Sequence, residues 1–307
     1  MIHMIIDCHC DALYKMWTDK IDFDDESLDV NYQKWMKSPV KIQCFAIFVP
    51  EYLPTEAKFA VAIHMIDLFY EKVVKPYSNV RFIQRKEDID AIKPHEKGAM
   101  LTLEGLDAAN NDMYKVRTLL KLGVRMIGMS WNEANLAVDG LKEPRGSGLT
   151  AFGREVIKLA NEENVWIDLA HISPKGFDEA VDLAEHVIVS HANSQSICPH
   201  IRNVTDEQVK KVVEKDGVIG VNFVREFVTE EPIAMIRDVM LHIHYFLSLG
   251  AEEHLVFGSD FDGATQFVEE LSSVHDYHHV LIEMEQDFSQ PVREKISYLN
   301  FLRHFPS

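Results

Sequence analysis

Cysteine is scarce, with Cys8, Cys10, Cys44 and Cys198 the only four in 307 residues. Four thiols cannot staple a chain this long, which excludes a disulfide-dense scaffold. Cys8-His9-Cys10 is a C-x-C and lacks the spacing of redox or zinc-ribbon C-x-x-C pairs, so reduced, buried thiols are expected. Glycine (14) and proline (11) are too few for collagen-like or low-complexity sequence. No Gly/Ser/Pro-rich linker divides the chain, and it carries no close internal repeat. No run approaches the ~18 apolar residues of a membrane span. The start, MIHMIIDCHCD, has no basic region, and Asp7 cuts its apolar stretch short, so it does not read as a signal peptide. Positive charge is also in deficit: 31 Lys and Arg against 49 Asp and Glu give a net charge of −18. The basic residues are interspersed with acids, and such a chain repels phosphate backbones. The expectation is a soluble, cytoplasmic protein with neither nucleic acid nor membrane as partner.

Three nucleotide and hydrolase signatures are missing too. There is no G-x-G-x-x-G after the first apolar run, no G-x-x-x-x-G-K-[ST] loop and no G-x-S-x-G elbow. What is present is a core-forming composition, 47% apolar and 26% charged, which excludes disorder.

A unit recurs along the chain: a short apolar, β-branched run, a polar residue, then a helical stretch. The runs are Ile5-Ile6, Val40 to Phe48, Ala99 to Leu103, Val124 to Met129, Val165 to Leu169, Val187 to Val189, Val218 to Val221, and Leu255 to Phe257. Runs apolar on both faces suit buried parallel strands. Between them, residues 56–75 carry Phe59, Ile63, Ile66, Phe69 and Val73 at helical spacing. Ser173-Pro174 reads as a helix start, Thr205 to Gln208 as a capping box, and residues 231–249 as a helix ending near Gly250. Eight strands alternating with helices predict an α/β fold, a (β/α)₈ TIM barrel, over residues 1–307 as one domain. Residues 264–307 are expected as loop and helices packing on the barrel. The competing architecture is a doubly wound open sheet, which would normally show a glycine-rich phosphate loop.

The polar residues that close the runs are His9 and Asp11, Glu104, His171, His191 and Asp260. In a barrel all strand C-termini meet on one face, so residues more than two hundred positions apart converge. Each alone has an ordinary structural reading, such as a hydrogen-bonded His or a capping Asp. Together, three His and three carboxylates make the ligand set of zinc or a similar divalent ion. His9 and Asp11 are i and i+2 and point to the same side of an extended chain. His171 and His191 close successive strands, and Glu104 has two oxygens with which to bridge. This spacing predicts two metals about 3.5–4 Å apart sharing a water or hydroxide, with Asp260 as proton shuttle. The remaining histidines have no such frame. His242 and His244 face different sides of one predicted helix; His275, His278 and His279 read as surface; His3, His64, His95, His186, His200, His254 and His304 are isolated.

These residues resemble the membrane dipeptidase (renal dipeptidase) family of zinc metallopeptidases, within the amidohydrolase-like barrels. The resemblance runs along nearly the whole chain: Asp7-Cys-His9-Cys-Asp11, Leu103-Glu104-Gly105, Gly148 to Gly153, Ile167-Asp-Leu-Ala-His171, Val189-Ser-His191-Ala-Asn193, Arg202-Asn203, Gly258 to Gly263 and Asn300-Phe-Leu302. It implies a (β/α)₈ barrel with two Zn²⁺ per chain. His9 and Asp11 would bind one, His171 and His191 the other, with Glu104 bridging and Asp260 as catalytic acid/base. Arg202 would hold the substrate's C-terminal carboxylate, with Asn203 orienting it, and Asp262 would be structural. Many members carry a His after the fourth strand where this chain reads Met129-Ser130-Trp131-Asn132. Trp131 is neutral and only donates, so oxyanion stabilisation from that position would be weaker, or Trp131 is simply a pocket wall.

The resemblance implies hydrolysis of L-L and L-D dipeptides, and a homodimer, the state typical of the family. Two other classes stay open. One is a binuclear metal amidohydrolase of another small amide, N-acyl amino acid or lactone. Barrels of that kind usually open with His-x-His and use a carbamylated Lys bridge, against His9-Cys-Asp11 and Glu104 here. The other is a non-catalytic barrel, against which stand all six ligand and acid positions.

Overall fold

The computed structural model describes residues 4–307; Met1, Ile2 and His3 lie outside the described residues. The nine strands are β1 (Ile5–Asp7), β2 (Val40–Phe48), β3 (Val80–Ile83), β4 (Lys97–Glu104), β5 (Val124–Gly128), β6 (Trp166–Asp168), β7 (Val187–Val189), β8 (Val218–Val221) and β9 (Leu255–Phe257). Their order is β2-β1-β9-β8-β7-β6-β5-β4-β3, and a further pairing of β2 with β4 closes the ring. Every pairing is parallel. The eight ring strands coincide with the eight apolar runs, so the fold is the (β/α)₈ barrel and not the open sheet.

Strand β3 was not among the runs. It pairs only with the start of β4, Val80 to Ile83 against Lys97 to Met100, outside the ring. Arg81 is exposed and Phe82 half-buried, so β3 lacks the two-sided apolar character that marked the others. β2 pairs with β4 from Ile42↔Gly98 to Phe48↔Glu104, which sets Phe48 beside Glu104 at the C-terminal mouth.

The crossover helices begin where side chains satisfy their first N–H groups. The Ser173 hydroxyl accepts from Gly176 N, with Pro174 in the first turn, and Thr205 and Gln208 form a reciprocal capping box. The helix Thr55–Leu68 continues into a π-helical stretch, Phe69–Val74, and buries Ile66, Phe69 and Val73. The helix expected from residue 231 begins at Ile236, because Asp238 accepts from Met235 N and closes the N-terminus there. It ends before Gly250, which takes φ +87.

Inside the ring sits a discrete apolar cluster. Ile6, Ile42, Met100, Met126, Trp166, Ile188, Val218 and Val256 supply one side chain from every barrel strand. Phe301 and Phe305 complete it. Residues 264–307 form loop and helices, and the last helix, Asn300–His304, closes the barrel floor. Trp166 lies with ring centroids 5.0 Å from Phe301 and 5.1 Å from Phe305. Asn300 donates to Glu252 O and Leu255 O at 2.9 and 2.8 Å, tying that helix to the start of β9.

Phe301 is fully buried, so Phe301→Ala removes the plug and leaves a cavity. It is expected to cost about 3–5 kcal/mol of stability. Exposed Leu299→Ala is expected to stay within about 0.5 kcal/mol. Urea unfolding midpoints of the two variants check this.

Candidate metal centre

His9 and Asp11 follow β1, Glu104 ends β4, His171 follows β6, His191 follows β7 and Asp260 follows β9. Barrel closure brings all six together, and all but half-buried Asp260 are buried. His9 Nε2 lies 3.3 Å from Asp11 Oδ2, 3.8 Å from Glu104 Oε2 and 3.8 Å from Asp260 Oδ1. The other Glu104 oxygen, Oε1, lies 3.0 Å from His171 Nε2 and 3.7 Å from His191 Nε2. One carboxylate thus faces two ligand groups, one through each oxygen. His9-Asp11-Glu104 and Glu104-His171-His191 each have donor atoms within 4.8 Å of one another.

The imidazole hydrogens show what the cluster requires. Ser190 Oγ donates its one proton to Asp168 Oδ2 at 2.5 Å, so it accepts from His191 Nδ1 at 2.7 Å. His191 Nε2 is therefore a bare lone pair. Asn132 Oδ1 lies 2.9 Å from His171 Nδ1 and accepts from it, leaving His171 Nε2 bare as well. The two Nε2 atoms stand 2.9 Å apart with no hydrogen to share and with Glu104 Oε1 beside them. Converging lone pairs in a buried site are reconciled by a cation. Burial first, then His9 and Arg202, hold both imidazoles well below the usual histidine range, in the neutral form a metal needs.

The carboxylates carry the same message. Burial, reinforced by Asp11 and Asp260, pushes Glu104 well above the usual carboxylate range against the pull of His9 and Arg202. Burial likewise raises Asp260, while His9, Arg202 and the Asn222 amide (2.9 Å) oppose it. Burial would lower His9, but Glu104, Asp11 and Asp260 raise it well above its ordinary value. Asp11 Oδ1 is buried without a hydrogen-bond partner. Any Cβ at Gly263 would collide with Asp11 Oδ2 and meet Asp260 Oδ1 at 2.8 Å, so only glycine leaves these carboxylates room. Three crowded carboxylates, two buried and one half-buried, with an orphaned oxygen fit divalent cations in charge and donor chemistry.

Two of the converging residues sit in left-handed backbone, His171 at φ 65 and Asp260 at φ 67. Such positions cost on the order of 1–3 kcal/mol and persist where the surroundings dictate them. Leu141 N holds His171 O at 2.8 Å, and Asp260 N is held by His9 O at 3.2 Å.

The centre opens on a cavity of about 410 Å³. Tyr14, Phe48 and Trp131 line it together with His200, Arg202, Arg225 and Gln266. Trp131 packs 5.2 Å from Phe48 and 5.9 Å from His171, ring centroid to centroid. Arg202 is buried, donates to His191 O at 2.8 Å and lies over the Phe227 ring, while its Nε has no partner. Asn203 makes no hydrogen bond to Arg202. Its amide nitrogen donates to Cys198 O and Phe227 O and its oxygen accepts from Asn193 N, so it braces the loop that carries Arg202. Asp262 is structural, accepting from Asp29 N, Val30 N and Lys15.

The sequence reading missed Asn132, Asn222 and the Asp168–Ser190 pair as partners of the six. Their one signal was position, as polar residues at or just past strand ends. His242 is a structural core residue between Ser194 N and Val228 O, and His244 is exposed and pairs with Asp287.

The membrane dipeptidase family, peptidase family M19, matches residues 2–307. The chain belongs to that family. Its members' chemistry makes it a metallopeptidase, a hydrolase of the dipeptidase type. A protein encoded in the pqqA 5′ region of Klebsiella pneumoniae is 31% identical over 231 residues, 71% of this chain and 82% of that one. Dipeptidase tcpJ of Claviceps purpurea is 29% identical over 264 residues, 81% of this chain and 62% of its own length. A metallopeptidase from Rhodobacter sphaeroides, solved with a phosphinate mimic of the dipeptide L-Ala-D-Ala, superposes with a TM-score of 0.91 at 21% identity, over 98% of this chain and 99% of that one. At that identity the structural likeness establishes the shared barrel. No helix among the described residues is long and apolar enough to cross a membrane.

Ser190→Ala removes the acceptor that fixes the His191 tautomer. The expected result is a loss of metal affinity of about 10–100-fold, read by competition against a chromogenic chelator, with the circular dichroism spectrum unchanged.

Proposed function

We propose that the chain is a binuclear zinc dipeptidase. His9 and Asp11 would hold one zinc, His171 and His191 the other, and Glu104 would bridge them. The observation that carries this reading is the division of Glu104, one oxygen toward His9 and the other toward His171 and His191. When bound, such a pair lowers the pKa of a water and polarises the scissile carbonyl.

The chain's own groups do the rest. Asp260 stands at the cavity with Oδ2 on the Asn222 amide and a pKa raised by burial, so it can take a proton and release it to the leaving amine nitrogen. The amide C–N bond breaks as water's oxygen goes to the carbonyl carbon. Arg202 presents a desolvated guanidinium with a free Nε, suited to the C-terminal carboxylate of a short substrate. That reading favours dipeptides over longer chains. Tyr14, Phe48 and Trp131 give the substrate side chains an apolar wall. Trp131 can donate a hydrogen bond but carries no charge, so rate and substrate range are set more by the metals and Arg202. The L-Ala-D-Ala mimic in the Rhodobacter neighbour supports L-D dipeptides beside L-L as substrates. We further propose that residues 1–307 act as one barrel unit, as a homodimer, and in the cytoplasm, where four unpaired thiols are stable.

Metal-reconstituted protein is to be assayed with L-L and L-D dipeptides and an N-acetyl amino acid. Two zinc per chain with dipeptide cleavage is the expected result; turnover of the N-acetyl compound alone would move the substrate class to another small amide. Asp260→Asn should retain the metal and lose about 10²–10⁴ in kcat. Arg202→Met should raise KM for dipeptides while leaving turnover of a carboxyl-amidated dipeptide unaltered; an equal rise for both would remove Arg202 from carboxylate recognition.

A further inference from the structure

We propose that the barrel floor carries a separate divalent-cation site formed by Asp216, His254 and His304. The three come from distant segments: Asp216 from the turn before β8, His254 from the turn before β9, His304 from the end of the helix Asn300–His304. All lie at the end of the barrel opposite Glu104. One donor atom from each falls within 4.8 Å of the other two. Both imidazoles are buried, and Asp216 is exposed.

Their hydrogens are assigned by backbone partners. His254 Nδ1 lies 2.8 Å from Gly217 O, and His304 Nε2 lies 2.8 Å from Glu253 O. A carbonyl oxygen only accepts, so these nitrogens carry the protons. His254 Nε2 and His304 Nδ1 are then lone pairs, and among the described residues neither has a protein hydrogen-bond donor. The rings stand 5.2 Å apart, centroid to centroid, and His304 Nδ1 is 3.7 Å from Asp216 Oδ1. An imidazole held by a backbone carbonyl on one nitrogen keeps the other as a lone pair, the form in which histidine ligates a metal. Burial also keeps His254 below its ordinary pKa, hence neutral.

Two imidazoles and one carboxylate suit zinc or a similar borderline cation better than magnesium or calcium. Tetrahedral zinc with bonds of ~2.0–2.2 Å sets its donors ~3.3–3.6 Å apart. The His304–Asp216 pair, at 3.7 Å, is near that spacing, and Asp216, on an exposed turn, has room to adjust. Arg303 competes, with Nη2 3.7 Å from the same Asp216 oxygen, but it is half exposed and also holds Glu253 at 3.1 Å, so it can leave Asp216 and keep a partner. A bound cation would staple the floor-closing helix to the turns that start β8 and β9. The role is structural and does not depend on how the mouth is read.

Equilibrium dialysis of the untagged full chain against zinc alone, with metal counted per chain, compares the wild type with His304→Gln and Asp216→Asn. Asparagine accepts the left-handed backbone at 216, φ 57. The ligands at the mouth are common to all three chains, so they drop out of the comparison. The expected result is one zinc fewer in His304→Gln, a roughly tenfold weaker site in Asp216→Asn, a smaller zinc-induced rise in Tm for both, and unchanged dipeptide hydrolysis. Folded His304→Gln with the wild-type count overturns the proposal. If His304→Gln does not fold, unchanged zinc affinity in Asp216→Asn overturns it.

Discussion

Two bare imidazole nitrogens facing each other across 2.9 Å are the constraint around which the mouth of this barrel is organised. Left alone, that contact is repulsive, and so is the crowding of Asp11, Glu104 and Asp260 around it. Burial makes both worse, because water cannot screen them. Divalent cations reverse the sign of every one of these interactions at once. Neutral His171 and His191 beside crowded carboxylates are a donor set that fits divalent cations.

Holding such groups together requires rigid support, and the barrel supplies the same device twice. Asp168 at the end of β6 accepts from Ser190 N and Oγ, just past β7, at 2.9 and 2.5 Å. Asp7 at the end of β1 accepts from Ser259 N and Oγ, just past β9, at 2.9 and 2.6 Å. Each carboxylate clamps the loop of the neighbouring strand immediately before a site residue, His191 in one case and Asp260 in the other. The strand ends also approach closely: any Cβ at Gly220 or Gly258 would run into Ser190 O. Ligand precision at this mouth is thus a property of strand-to-strand locking and not of the loops alone.

The other end of the barrel is built by different means. Phe301 and Phe305 fill the floor beneath Trp166, and buried histidines with backbone-assigned tautomers line the rim beside them. The two ends share a principle: an imidazole with one nitrogen fixed by the fold keeps the other as a lone pair. At the mouth those lone pairs face Glu104, from a neighbouring strand. At the floor they lie near a single exposed carboxylate, Asp216.

The sequence by itself determined the eight ring strands, since each is a run apolar on both faces, and it determined the six residues that close them, since polarity after such a run is locally visible. It determined the helix starts at Ser173 and Thr205 for the same reason: a cap is a contact within four residues. Strand β3 escaped because Arg81 faces solvent and only one of its edges is paired. Asn132, Asn222 and the Asp168–Ser190 lock escaped because their meaning lies in partners 22 to 39 positions away. His254 and His304 looked isolated because fifty residues of chain separate them, and the helix that rejoins them is placed by Phe301 filling a cavity that exists only once the ring has closed. Local patterning is set by periodicity and turn chemistry along the chain. Convergence is set by ring closure, a long-range event that no stretch of sequence encodes alone.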